Sequence, residues 1–433
     1  MASVTQTNAV TSTDSSKSAQ FLSSPLGIAV IALFLRLAWI VIGHTYRFRT
    51  SDDNFGFGWE MGRIGASIAS GHGFSNPFGP PTGPTAWEPP IYPYLTAGVF
   101  SLFGIYSKTS AFVLLSFNSL CSALTCLPVF FVARRMFSGR VALISAWVWA
   151  LLPNIIFWCT RWIWETSLSA LLLALTIWLA LAMVDDARWR QWIGFGSLWA
   201  AIALNGTSLL AFLPAAGLWI WYRRRKLGKR SFAGVALASL VFFACITPWL
   251  VRNYRTFGRF IFVRDNFGAE LRLGNGNGAY GTIMGYLDPP DDPYAMRQFE
   301  SMGELNYVRM RKQQAIDYIK ADYRRFAGLS VKRFIYFWAG TPRGTDLWWL
   351  SQVKNSLFLA SSVLAFWGLG RALRLGKPGA WLIFWLMLLY PAVYYFVYPG
   401  ARYRHPIEPQ MTILCVFLIT EAGQKSTSRP DRS

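Results

Sequence analysis

Only 15% of the 433 residues are charged, where a soluble protein of this size carries about 25%. That shortage excludes an ordinary soluble globular domain. Acidic residues are scarcest, 21 against 42 Lys and Arg, with three histidines and five cysteines. The cysteines (Cys121, Cys126, Cys159, Cys245, Cys415) lie in or beside apolar segments without metal-ligand spacing. They read as buried free thiols rather than a disulfide framework or a zinc site. The histidines, His44, His72 and His405, are too few and too scattered to specify a metal centre. No internal repeat is visible. The net charge of +21 does not point to nucleic acid, because no basic run is interleaved with a soluble fold. Membrane lipid headgroups and lipid-linked phosphates account for it better.

Apolar and aromatic residues are abundant, at 53% and 17%. A hydrocarbon core takes about 20 apolar residues per helix. Runs of that kind lie near 25–43, 108–133, 140–159, 164–184, 192–204, 206–222, 232–250, 350–370, 380–398 and 407–422. The fold class expected is an all-α polytopic membrane protein with about ten transmembrane helices. The short runs 192–204 and 206–222 meet at Asn205-Gly206 and read either as two spans or as a hairpin that does not cross fully. Arg-rich short connections (Arg134, Arg135 and Arg140; Arg188 and Arg190; Arg223 to Lys226; Arg371, Arg374 and Lys377) read as cytoplasmic. The plain count of basic residues does not favour that side, since the long segment 251–349 is itself basic, but the rule applies to short loops.

The organisation expected is a disordered cytoplasmic tail at 1–24, an N-terminal transmembrane module at 25–250 containing an outer loop at 44–107, an outer segment at 251–349, C-terminal transmembrane helices at 350–422 and a second tail at 423–433. Within the loop, Trp59–Ser70 predicts a short amphipathic helix and Ile91–Phe103 an interfacial one. Pro89-Pro90 suits a helix start and bars a helix upstream. In the outer segment, a Gly/Asn-rich turn cluster at 274–278 precedes a charged helical stretch over Ala295–Phe326. The loop also holds Asp52, Asp53, Glu60 and Glu88, in a chain with few acids. A long carboxylate-bearing loop directly after the first span looks like the reaction site of a membrane enzyme.

Four patterns resemble the GT-C polytopic glycosyltransferases, in particular the bacterial Rgt-type, aminoarabinose-transferase and protein-mannosyltransferase group. They are Pro89-Pro90-Ile91-Tyr92-Pro93, Val132 to Phe137, Thr247-Pro248-Trp249-Leu250-Val251-Arg252-Asn253-Tyr254, and Arg402-Tyr403-Arg404-His405-Pro406-Ile407-Glu408-Pro409. Each is weak alone, but they occur in the expected order over most of the chain. The resemblance implies a GT-C-like bundle in a bacterial inner (plasma) membrane, with the active site on the periplasmic side. It implies a polyprenyl-phosphate sugar donor, a lipid, glycan or protein acceptor, and a catalytic carboxylate in the first outer loop. A divalent metal ion held by the loop carboxylates is compatible with it, and no other cofactor is implied.

Such a transfer needs a base for the acceptor hydroxyl and cations for the departing phosphate, which arginine forks match bidentately. Glu60 is the first candidate base, followed by Asp53 and Asp52; their structural reading is as solvated loop carboxylates or a helix cap. Arg402, Arg404 and His405, with Arg252 and Arg255, are the candidate phosphate ligands, weighed against interfacial snorkelling. Glu88 and Tyr92 are candidates for acceptor contact or loop ordering. Arg161 and Glu165 read as a structural ion pair, and Arg36 is placed to snorkel from the first span. The competing functions are a flippase or transporter of a lipid-linked saccharide and a glycan ligase or polymerase. A transporter more often shows paired intramembrane charges, interrupted spans or repeats.

Overall fold

The computed structural model describes residues 20–48, 55–342 and 348–421. Asp52 and Asp53 lie outside the described residues. Within those residues the chain is helical without strands, apart from one antiparallel bridge between Ser75 and Pro84.

Helix α1 (Pro25–Ile42) begins at Ser24, whose hydroxyl accepts from the Gly27 amide, with Pro25 in the first turn. The first loop then forms α2 (Glu60–Ala69) and α3 (Ile91–Phe103), at the places the sequence predicts. α4 (Lys108–Leu124) and α5 (Cys126–Met136) together make one apolar stretch of 29 residues. α6 (Gly139–Leu151) and α7 (Pro153–Arg161) are bent by 47° at the break. Pro153 has no N–H to bond the carbonyl one turn back, so the helix cannot continue through it. α8 (Thr166–Met183), α9 (Trp189–Asn205), α10 (Leu213–Lys226) and α11 (Phe232–Phe257) complete the N-terminal module. The outer segment forms α12 (Phe267–Gly274), α13 (Pro293–Met302), α14 (Glu304–Ala321) and α15 (Tyr323–Ala339). α16 (Trp348–Arg374), α17 (Ala380–Leu389), α18 (Ala392–Phe396), α19 (Ala401–Arg404) and α20 (Glu408–Thr420) close the chain.

Two expectations change. Among the described residues five helices, or six if the bent α6–α7 pair is one span, are long and apolar enough to cross a membrane, against the ten runs read from hydropathy. The apolar runs in α10, α17 and α20 are cut by prolines and turns; α20, with 13 residues, reaches only about 20 Å at 1.5 Å per residue. The helical stretch Ala295–Phe326 is three helices rather than one. Gly303, at φ +73°, ends α13, and the Asp322 side chain accepts from the Arg325 amide to start α15.

The principal apolar core runs through α1, α4 to α11 and α16 to α20, with Trp149, Trp199 and Tyr390 sealed inside. A second cluster (Ile40, Phe57, Met61, Tyr92, Phe100, Leu114, Ile163) packs α2 and α3 against the bundle. A third joins the first loop to α13 and α14: Phe78 meets Trp87 and Phe299 edge to face, both at 4.9 Å. Such ring pairs contribute about 0.5–1.5 kcal/mol beyond their burial. The two outward regions are thereby packed onto each other, and this places the site.

Arg36 does not snorkel. It is fully buried and donates to the Ser122 hydroxyl (3.2 Å) and to the carbonyls of Ala32 (3.0 Å), Ala150 (2.9 Å) and Trp149 (3.3 Å). The last two belong to the end of α6, where the break at Pro153 leaves carbonyls without helical partners. Arg36 therefore caps α6 from α1. Replacing it with Met should strip those acceptors of their donor and cost about 2 kcal/mol or more. A lowered midpoint of thermal unfolding in detergent is the expected result; an unchanged midpoint would remove the capping role.

Candidate active site

A cavity of about 450 Å³ opens where the first loop, the outer segment and the connection before α20 converge. A smaller compartment of about 90 Å³ adjoins it. The two share Met61, Glu88, Glu165, Arg264, Glu270, Tyr398, Arg402 and Tyr403, and the smaller one adds Glu60 and Asp288. The outer end is thus rich in carboxylates, while the far end of the larger cavity is neutral, with Ser169, Asn205, Ser208 and Tyr394.

Glu60 owes its place to the turn before it. The Ile163 amide bonds the Gly56 carbonyl (3.3 Å), which brings the two loops together. Gly58 has φ +87°, and a Cβ there would fall 2.3 Å from the Ile163 carbonyl oxygen, so only glycine allows this approach. Glu60 then opens α2 opposite Trp164 and Glu165. Burial raises its pKa above the ordinary carboxylate value, Arg402 and Arg63 pull it back, and Glu270 pushes it up further.

Arg264 ties two of the carboxylates together. One of its terminal nitrogens lies 3.5 Å from Glu88 Oε2 and the other 3.8 Å from Glu270 Oε1. Glu270 also accepts from Asn266 Nδ2 at 2.9 Å and from the Tyr398 hydroxyl. Burial pushes Glu88 up to about 8 despite Arg264, with Glu60, Glu165 and Glu270 adding to the rise. Burial also raises Asp288 well above its ordinary range, reinforced by Glu60 and Glu270.

Arg402 is held differently. Its guanidinium lies over the Trp164 ring, 3.8 Å from the centroid, and donates to the Tyr403 hydroxyl at 3.1 Å. Among the described residues no carboxylate forms a salt bridge with it. Burial works against its charge, but Tyr403 and Glu165 outweigh that and keep it ionised. A guanidinium has five N–H donors, and Arg402 lines both compartments.

Of the residues singled out from sequence, Glu60, Glu88 and Arg402 meet at this site, and Asp52 and Asp53 fall outside the described residues. The others are placed elsewhere. Arg404 is buried, bound to Glu408 (3.1 Å), the Ser362 hydroxyl (2.8 Å) and the Phe358 carbonyl (2.9 Å). His405 is fully buried, its Nδ1 2.9 Å from Glu408 Oε2 and its ring against Trp149. Neither lines the cavity, because successive helical residues point about 100° apart and Arg402 takes the face that does. Arg252 instead clamps the first loop, donating to the carbonyls of Thr85 (2.7 Å) and Phe74 (2.9 Å). Arg255 is exposed at the end of α11. Tyr92 is buried with its hydroxyl donating to Asn118 Oδ1 at 3.0 Å, a contact that orders the loop. Arg161 and Glu165 form no ion pair: Arg161 is exposed, while Glu165 turns into the cavity.

Arg264, Glu270, Asp288, Glu165 and Tyr398 are the site residues that sequence reasoning missed. The only signal for the first two was a short Arg-Asp-Asn and Ala-Glu cluster in a scarcely charged chain. No three His, Cys, Asp or Glu side chains among the described residues converge closely enough to hold a metal ion.

Residues 87–251 match the family model of dolichyl-phosphate-mannose-protein mannosyltransferases. No curated protein sequence matches the chain. The oligosaccharyltransferase of Archaeoglobus fulgidus, solved in complex with Zn and sulfate, is similar over 90% of this chain, with 14% identity and a TM-score of 0.50. This chain spans about half of that protein, 48% of its length. ArnT from Cupriavidus metallidurans, solved bound to undecaprenyl phosphate, matches 91% of this chain and 76% of its own, with 12% identity and a TM-score of 0.38. The helical bundle, its first loop packed on the segment after α11, and the likeness over 90% of the chain give this multi-pass membrane protein the GT-C fold.

Proposed function

We propose that the chain is a membrane glycosyltransferase moving a sugar from a polyprenyl-phosphate-linked donor to an acceptor hydroxyl on the outer face of a bacterial inner membrane. The observation that carries this reading is Arg402: a guanidinium that makes no salt bridge among the described residues, fixed on Trp164 at a compartment that Glu60, Glu88, Glu165, Glu270, Asp288 and Arg264 also line. An arginine in that state suits a phosphate.

Glu60 takes the proton of the acceptor hydroxyl. The freed oxygen attacks the anomeric carbon, the bond from that carbon to the phosphate oxygen breaks, and the polyprenyl phosphate leaves towards Arg402. Glu88, which burial raises, is held beside Arg264 and takes no part as base in this reading. Asp53 and Asp52 stand as the alternative bases on the same loop. A divalent ion, should the reaction use one, would draw on the loop carboxylates.

The test uses purified full-length protein in liposomes with a panel of polyprenyl-phosphate sugars, alongside mass analysis of envelope glycolipids from cells with and without the protein. New glycosylated product and free polyprenyl phosphate are expected. Movement of the donor across the bilayer with no bond made would favour a flippase instead. Absence of both would sink the proposal.

A further inference from the structure

One buried carboxylate of the outer segment stands outside the cavity and takes no part in the chemistry above. Glu304, the first residue of α14, has only 7% of its surface exposed. Its Oε1 accepts from the Ala86 amide at 2.6 Å, and its Oε2 accepts from the Thr85 hydroxyl. That hydroxyl in turn accepts from the Trp87 amide at 2.9 Å. The remaining polar groups of this short stretch are tied down as well. The Thr85 amide bonds the Phe74 carbonyl (3.2 Å), the Thr85 carbonyl accepts from Arg252 (2.7 Å), and the Ala86 carbonyl accepts from the Asp265 amide (2.9 Å). The next two residues, Trp87 and Glu88, form the cavity wall.

We propose that Glu304 is a positioning residue: its carboxyl group latches the end of the first outer loop onto the outer helical segment, and so sets where Trp87 and Glu88 stand. Among the described residues no other side chain receives both a loop hydroxyl and a loop amide at this junction, and Glu304 lies 218 residues along the chain from Ala86. Its consequence for turnover rests on the glycosyltransferase reading, but the latch itself does not.

The latch is sensitive to protons. The charged groups facing Glu304 are Asp265, from the connection before α12, and Arg252, from α11; the loop offers only a hydroxyl and an amide. Burial pushes the carboxyl up to about 7, against the lowering effect of the Thr85 and Ala86 hydrogen bonds. With the loop open, the exposed carboxyl returns to its ordinary value near 4.5. The closed form therefore holds the proton more tightly. Its advantage is full below 4.5 and is lost as the pH rises through about 7.

Amide hydrogen exchange of residues 85–88 in the full-length protein, expressed as protection relative to intrinsic rates at pH 5.5 and pH 8, tests this. The wild type should lose about 25-fold in protection on going to the higher pH. Glu304→Gln keeps an oxygen for the Ala86 amide and carries no charge, so it should stay protected at both values. Glu304→Ala should be poorly protected at both. A Gln variant with the wild-type pH slope would overturn the proposal, as would an Ala variant with wild-type protection. Should the Ala variant fail to fold, the Gln slope alone decides. Because exchange is read without any sugar donor, failure here is separable from failure of the proposed reaction.

Discussion

With Glu60 as the proposed base, Glu60→Gln should lower sugar transfer by about 10²–10⁴-fold, the usual contribution of a positioned base, while the protein keeps its fold. Gln has nearly the same volume and retains an oxygen, so α2 should still begin at the same place. What is lost is the ability to take a proton. The wild type supplies a second reading of the same group. Burial raises Glu60 above the ordinary carboxylate value of 4.5, and the base works only when ionised. Activity should therefore rise with pH along a limb lying above 4.5, and this limb should be missing from whatever activity the variant retains. Rates measured across pH in liposomes check both points. Full activity in Glu60→Gln, with loss in Asp53→Asn, would move the base to Asp53.

Arg402→Ala removes the cation proposed to receive the departing phosphate, and transfer should fall by about 10²–10³-fold, as for loss of one fixed donor to a developing charge. Arg402→Lys should recover only part of this, since an ammonium carries charge but cannot grip phosphate oxygens as a fork or lie flat on Trp164. The control is Arg404→Ala. Arg404 is bound to Glu408 and Ser362 inside the bundle, so its loss leaves a buried carboxylate short of a partner and lowers thermal stability. If Arg402→Ala only destabilises, or if the Arg404 variant folds normally and alone loses transfer, the assignment of the phosphate ligand is wrong.

Local features were legible wherever the chain decides them locally. The helix at Ile91–Phe103 follows from Pro90 and an apolar run ended by Gly104. The one at Glu60–Ala69 follows from the spacing of Ile64 and Ile68. Placing Glu60, Glu88 and Arg402 in one group needed only the scarcity of charge and its location in outward connections. Arg404 and His405 misled because neighbours in sequence look like neighbours in function, whereas a helical turn sends them to different faces. Arg36 misled because a lone cation in a span has a standard exit to the interface, and nothing local reveals the broken helix end waiting beside it.

By itself, then, the sequence determined that this is a helical membrane protein, with few acids, four of them in the long loop after its first span, and arginines at the ends of its spans. It could do so because hydropathy and helix signals act over a few turns of chain. Only the tertiary structure decided which charges meet. The cavity wall is assembled from Glu60, Glu165, Arg264 and Arg402, residues separated by long stretches of chain and brought together by packing. That packing also left Arg402 without a salt bridge among the described residues while Arg264 took two, a choice set by distances of a few ångströms that no local pattern encodes.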